Sequence, residues 1–223
     1  FVPTLIMNVL PVAILLIAGE AAVRLLAVST PLGLSFAGTL LLPKSWDQVR
    51  ARNAELLRHA APNISYFVSD SLLGWTVGPS RRTADGLYLS SAEGIRTGRP
   101  GAAYAGRPAR YRIATVGDSY TFGLEVPFEN SWGEGLERAL GRGFEVLNFG
   151  VDGYGVDQAY LRYHRDVRRW RPALVIFGFI SHDLYRSLSV YSFITFPEWG
   201  FPFSKPRFVL NDGSPKLLNA PLI

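Results

Sequence analysis

The chain has 223 residues, 48% of them hydrophobic and 18% charged, which is enough for one mid-sized domain with an appendage and excludes wholesale disorder. It contains no cysteine, so a disulfide framework and a thiolate metal site are excluded too. The net charge of +5 is uneven: residues 44–112 carry 11 basic and 5 acidic side chains, whereas residues 113–223 carry 11 and 12. Such a basic stretch suits arginine-rich solvated loops and equally a surface resting on anionic headgroups or an acidic partner.

Residues 1–19 (FVPTLIMNVLPVAILLIAG) hold no charge, and the apolar pattern runs on to Val28 with only Glu20 and Arg24 interrupting it. About 20 apolar residues suffice for a transmembrane helix, and a Glu/Arg pair four apart can neutralise itself near one end. A transmembrane anchor over 1–28 is the expectation, with a signal peptide and a buried core helix as the alternatives. Residues 29–43 (STPLGLSFAGTLLLP) are apolar and too short to span again, so they suit the membrane interface. WDQVRARNAELLRH (46–59) has good helix formers and ends at Ala61-Pro62-Asn63. Residues 29–109 together form a basic, membrane-proximal approach subdomain of low regular content, with short extended pieces at ISYFV and GLYLS. Its Asn63-Ile64-Ser65 sequon is a chance triplet.

From residue 110 strands and helices alternate. RYRIATVG (110–117) reads as a strand running into GDS. Ser131 or Asn130 with Glu134 makes a capping box for a short helix through Leu140. FEVLNFG (144–150) reads as a second strand ending in the glycine turn VDGYG. Val156, Ala159, Tyr160, Tyr163, Val167 and Trp170 then fall on one face of a helix that Pro172 stops, with Arg162, Arg165, Arg168 and Arg169 on the outer face. That arginine row is a solvated helix face, and nucleic acid is not expected as a partner. ALVIFGFI (173–180) is apolar throughout, the mark of a parallel strand buried on both faces. The β-α-β-α-β order over 110–188 predicts an α/β fold, a doubly wound parallel three-layer sandwich, in which ligands bind beyond the carboxyl ends of the strands. Ser119, Gly150, His182 and Asp183 all fall there. Residues 189–223 follow as an extended segment. Within it, 191–208 holds seven aromatics and three prolines, which suits a lid, a partner interface or a loop packed back on the domain.

GDSYTFG (117–123) at the end of the first strand resembles block I of the SGNH/GDSL hydrolase superfamily, whose serine nucleophile follows Gly-Asp. NFGVDGYG resembles block II, which makes Gly150 the oxyanion-hole N–H. The N-terminal span and the Leu73-Gly74-Trp75 segment resemble membrane-anchored bacterial members. The resemblance covers most of residues 1–190 and implies Ser119 as nucleophile. In block III the family has Gly-x-Asn-Asp; here Ile180-Ser181-His182-Asp183 puts His182 in the asparagine slot, where an imidazole N–H can serve as oxyanion donor, with Asp183 supporting it. Block V, Asp-x-x-His, which supplies the general base, is absent: no aspartate is followed by His at the third position, and no His lies beyond His182. Without a base a serine hydroxyl is a poor nucleophile.

Three explanations stay open: the chain is part of a longer one, His182 is an unorthodox base, or catalysis is lost. The expected function is a membrane-anchored serine ester hydrolase or O-acyltransferase/deacetylase acting on an acyl ester. The alternative is an inactive accessory subunit of a larger integral-membrane, even energy-transducing, complex, held through 1–28 and 191–208. Neither metal nor organic cofactor is required. The expected location is the cytoplasmic membrane, single-pass, with the soluble domain outside it. His59 and His164 suggest no site.

Overall fold

A computed structural model describes residues 2–30, 33–59, 66–106, 111–195 and 202–222. The sequon at Asn63 and the middle of the aromatic stretch, 196–201, lie outside the described residues. The chain divides into two compact units, residues 1–54 and 55–223.

The first unit opens with helix α1 (Val2–Leu26), which contains Pro11. Its window Val9–Leu26 has a mean hydropathy of 2.1 and none of it is buried, which by length and composition makes it a candidate membrane span or signal sequence. Glu20 and Arg24 form the expected i,i+4 pair at 2.7 Å. An antiparallel sheet follows, β1 (Val28–Thr30), β2 (Gly33–Phe36) and β3 (Thr39–Pro43), in that order. Helix α2 (Trp46–His59) has the bounds that its composition predicts. Ser45 and Gln48 open it with reciprocal side-chain to main-chain bonds.

The second unit is built on a mixed five-stranded sheet. Strands β4 (Phe67–Asp70) and β5 (Gly74–Val77) form a separate hairpin, while β6 (Leu89–Ser90) and β7 (Arg96–Thr97) join the sheet. Strand β8 (Tyr111–Gly117) lies at its centre and leads into the short helix α3 (Ser119–Phe122). Helix α4 (Trp132–Leu140) starts at Ser131, whose hydroxyl accepts from Glu134 N–H as the capping pattern predicts. Then come β9 (Phe144–Asn148), α5 (Val156–Arg162), β10 (Leu174–Gly178) and α6 (Ser181–Arg186). A single-turn helix α7 (Ser192–Thr195) and a hairpin, β11 (Arg207–Asn211) with β12 (Ser214–Leu218), end the chain. The 189–223 segment therefore has more regular structure than its prolines suggested.

The strand order is β10-β8-β9-β7-β6. β10, β8 and β9 are parallel, but β7 runs antiparallel to β9 and β6 antiparallel to β7, so the sheet is mixed where an all-parallel one was expected. The two antiparallel strands come from the 66–106 stretch, too short for sequence periodicity to register. The expectation for β10 is corrected as well. Among the described strands it pairs only with β8, and Leu174 and Phe177 are 52% and 43% exposed. A continuous apolar run shows that a strand tolerates burial on both sides, not that a neighbour covers it.

The helix after β9 also departs from its pattern. α-helical geometry ends at Arg162, gives way to a π turn over Tyr163–Val167 and closes with a 3₁₀ turn at Arg168–Trp170. Val156 and Tyr160, on the apolar face, are exposed, whereas Asp157, Gln158 and Arg162 are buried. The polar side chains turn inward because they meet partners there. Gln158 Nε2 donates to Leu73 O at 2.6 Å, Asp157 accepts from Lys205 Nζ, and the Arg162 guanidinium reaches Thr76 Oγ1 and Gly94 O. An amphipathic count has no means of seeing such partners far along the chain.

Two apolar clusters hold the unit together. One joins Ala114, Val116, Leu147, Phe149, Ala159 and Val167 with Ile95 and Tyr104. The other sets Tyr66, Leu73, Trp75 and Val77 against Phe122, Val151 and Tyr154. Both draw on residues 66–106, so that stretch is core rather than approach.

Candidate active site

Ser119 sits where β8 ends. Gly117 must be glycine there, because a Cβ would lie 2.2 Å from Gly178 O on β10 and 2.4 Å from Thr121 Oγ1. Asp118 is buried and caps α3: its Oδ1 accepts from Tyr120 N–H at 3.0 Å and from Thr121 N–H at 3.4 Å. Ser119 itself is 8% exposed, and its carbonyl accepts from Gly123 and Leu124 N–H. Gly123 closes the helix in the left-handed region at φ 80°. The carbonyls just beyond it are collected by Arg96, a fully buried residue of β7. Its guanidinium donates to Phe122 O, Gly123 O and Val126 O and lies 4.4 Å from the centroid of the Phe122 ring. The serine is thus fixed from both ends of its helix, by Asp118 in front and Arg96 behind.

The turn after β9 packs on this helix. A Cβ at Gly150 would fall 2.2 Å from Phe122 N, so only glycine allows the approach. Asn148 reaches the same backbone, donating from Nδ2 to Thr121 O at 3.0 Å and to Phe122 O at 3.3 Å. Its Oδ1 accepts the Gly150 N–H at 2.9 Å, so this N–H is engaged, and Val151 N–H is committed to Gly117 O. Gly153, in the left-handed region at φ 78°, carries the next glycine N–H of the turn, which bonds the Asp152 carboxylate. Burial, with the Asp118 and Glu125 charges adding to it, holds the Asp152 carboxyl above its ordinary range.

Helix α6 brings the third group of residues. Asp183 is buried and accepts from Ile180 N–H at 3.1 Å and from Arg186 Nη1 at 2.5 Å. The same Nη1 lies 3.6 Å from Asp118 Oδ2 and 3.4 Å from Tyr154 O, so Arg186 ties α6 to the serine turn and to the turn after β9. Burial pushes the Asp183 carboxyl up to about 6, and the Asp118 charge adds to this; Ile180 N–H and Arg186 offset only part of it. His182 is exposed on the same helix, its ring centroid 6.4 Å from that of Tyr185.

Ser119, Gly150 and Asp183 are therefore joined into one constellation through Asp118, Asn148 and Arg186, while His182 is the exposed neighbour of Asp183 on α6. No side chain among the described residues hydrogen-bonds the Ser119 hydroxyl. His164 packs against Tyr160 and Tyr163 along the tail of α5. No cluster of His, Cys, Asp or Glu able to hold a metal ion occurs among the described residues. Sequence reading missed Arg186, Asn148 and Arg96. Of the three only Arg186 left a local signal, the Asp183/Arg186 spacing of i,i+3 on a helix. The ends of the aromatic stretch pack back on the domain: Tyr191 bridges Ser204, Phe203 stacks at 6.3 Å on Trp75, and Lys205 is buried against Asp157.

Residues 113–207 match the family of GDSL-like lipases and acylhydrolases. Two solved structures are similar in sequence over part of the chain. A protein described as lipolytic, of the G-D-S-L family, from Desulfitobacterium hafniense DCB-2 is 26% identical, with 41% of this chain and 51% of that one covered and a TM-score of 0.32. AlinE4, an SGNH-hydrolase family esterase, is also 26% identical, with 37% and 47% covered and a TM-score of 0.32. This chain spans about half the length of each. No curated protein matches. The α/β segment carrying the GDS turn is thus of the SGNH/GDSL hydrolase superfamily.

Proposed function

We propose that this chain carries the nucleophile portion of a membrane-anchored serine ester hydrolase, or of an O-acyltransferase or deacetylase using the same chemistry. The observation that carries the reading is the clamped Ser119 turn within a segment similar to GDSL-like lipases and acylhydrolases. Ser119 Oγ attacks the acyl carbonyl carbon and its proton passes to a base. The ester C–O bond then breaks, the alcohol leaves with a proton, and water or a second alcohol takes the acyl group. Ser119 N–H, a main-chain N–H of the 150–153 turn and the imidazole of His182 are the oxyanion donors. Gly150 serves as donor only if its N–H leaves Asn148 Oδ1. Asp183 positions α6, and with it His182, through Ile180 N–H and Arg186. The step needs a general base, and no described side chain bonds the Ser119 hydroxyl. Residues 1–28 anchor the protein in the cytoplasmic membrane as a single span, with the α/β domain on the outer side and the acyl ester as substrate.

Two observations favour a second reading, an inactive accessory subunit: no base meets the Ser119 hydroxyl among the described residues, and the Gly150 N–H is engaged. Fluorophosphonate labelling of the detergent-solubilised, natively expressed protein separates the two. The hydrolase reading expects covalent label on the GDSYTFG peptide, lost in Ser119→Ala. Absence of label on folded protein would sink it in favour of the accessory subunit.

A further inference from the structure

The small sheet β1–β3 has no core of its own. In water, three strands need an apolar face packed against something, yet here the third strand is exposed along its whole length and Val28 and Ser29 on the first are exposed too. Register places Val28, Ser35 and Leu40 side by side on one face and Ser29, Leu34 and Leu42 on the other, with an irregularity at Leu34/Ser35. Every residue of β3 is exposed, Leu40 and Leu41 at 42% and Leu42 at 53%, and Val28 on β1 reaches 66%. Nothing else in residues 1–54 covers them. Exposed apolar strands of this kind are an aggregation hazard in water unless a partner takes them.

The neighbouring sequence says what that partner is. β1 begins two residues after α1 ends, and Ala27 N–H still bonds Val23 O, so the sheet continues directly from the apolar helix. Between Arg24 and Lys44 there is no charged residue at all. Immediately after β3 come Lys44 and Trp46, a cation and an amphipathic ring of the types that gather at the membrane–water boundary. A protein-facing surface usually carries a polar rim with some charge, and this stretch has none. Among the described strands the outer edges of β1 and β3 have no partner, which excludes the hydrocarbon centre. Headgroup depth satisfies both demands: it covers leucine and hydrates backbone.

We infer that β1–β3 is a membrane-interface sheet that beds into the headgroup and upper acyl region of the bilayer beside the exit of α1, so that the protein contacts lipid through a span and a platform. This rests on the anchoring reading above, and the test keeps the two apart. Because the chain has no cysteine, each of Leu16→Cys, Leu40→Cys, Leu41→Cys and Leu210→Cys carries a single thiol for a bimane label. The full chain is reconstituted in phosphatidylethanolamine–phosphatidylglycerol vesicles and challenged with aqueous iodide and with lipids brominated at shallow or deep acyl positions. The label at 40 and 41 is expected to be several-fold less sensitive to iodide than at Leu210, which is 78% exposed, and to be quenched best by the shallow bromolipid. Iodide quenching equal to that at 210, with position 16 quenched by deep bromolipid, overturns the interface sheet and leaves the anchor standing. Protection from both quenchers also overturns it and points to a protein or a second copy on the sheet. If position 16 too behaves as aqueous, the anchor itself falls.

Discussion

Residues 28–43 and 66–106 both look like connecting chain: short extended pieces, glycines and prolines, no long periodic run. In the folded protein they have opposite fates. The first forms a sheet whose outer strands are largely exposed; the second supplies Leu73, Trp75, Ile95 and Arg96, all fully buried. The difference lies in polar anchoring. Residues 66–106 offer groups that long-range hydrogen bonds seize: Trp75 Nε1 donates to Asp152 O at 2.8 Å, Tyr154 hydroxyl donates to Trp75 O at 2.7 Å, and Gln158 donates to Leu73 O. Residues 28–43 bring only apolar and hydroxyl side chains, so their burial needs a medium rather than a partner in the chain. A segment's regularity says little about whether it is core, whereas the destination of its polar groups says a great deal.

Arg96 tests directly whether residues 66–106 are core. Arg96→Met keeps an apolar stem against Tyr88 and Phe122 but leaves the Phe122, Gly123 and Val126 carbonyls without their shared donor. Losing these contacts to buried acceptors should cost roughly 3–4 kcal/mol, read as a fall in the urea midpoint of the α/β unit. Fluorophosphonate labelling at Ser119 should fall with it, since the end of α3 is no longer held. If the midpoint is unchanged, residues 66–106 are an attachment after all.

Much of this architecture was legible beforehand. The strands at 111–117, 144–148 and 174–178, the Ser131 cap and the GDS turn follow from local patterns and local chemistry, and so did α2 to the residue. The antiparallel part of the sheet was not, because β6 and β7 are two residues each and owe their identity to pairing, β7 with β9 and β6 with β7. Nor was the inward turn of Arg162, Gln158 and Asp157, whose partners lie 86, 85 and 48 residues away in sequence. Ser119 follows β8 and Asp183 follows β10, the chain positions that the strand pattern implied. The engagement of Gly150 N–H with Asn148 was not implied, since it depends on side-chain rotamers rather than on motif spacing.

Charge separates the two regions further. No titratable side chain exists between residues 28 and 43, whereas the unit that 66–106 completes holds buried carboxyls with raised pKa. Asp183, facing Asp118 and Arg186, is the group to watch, with Asp152 raised in the same direction. Its folded pKa of about 6 stands above the ordinary 3.8, so the folded state binds the proton more tightly than the unfolded chain does. The resulting stability is complete below about pH 4 and is lost as pH rises through 6, an effect of roughly 2–3 kcal/mol between pH 4 and 7. In Asp183→Asn that slope should largely vanish. Urea midpoints of both proteins at several pH values between 4 and 7 test the sign: a wild type that gains stability relative to the variant over this range would contradict it.

The smallest effect expected is also the most discriminating. Leu41→Ser replaces an exposed apolar residue on a strand with no core, so in detergent it should leave the urea-derived unfolding free energy of the 55–223 unit within about 0.5 kcal/mol of wild type. In vesicles the same change removes apolar surface from the membrane-facing sheet, and the bimane label at position 40 should become more open to iodide. A core residue would give the reverse pattern, a large loss in detergent and little dependence on lipid. Should Leu41→Ser destabilise the α/β unit in detergent, the two stretches would differ only in degree, and the sheet would have to be counted as part of the same cooperative fold.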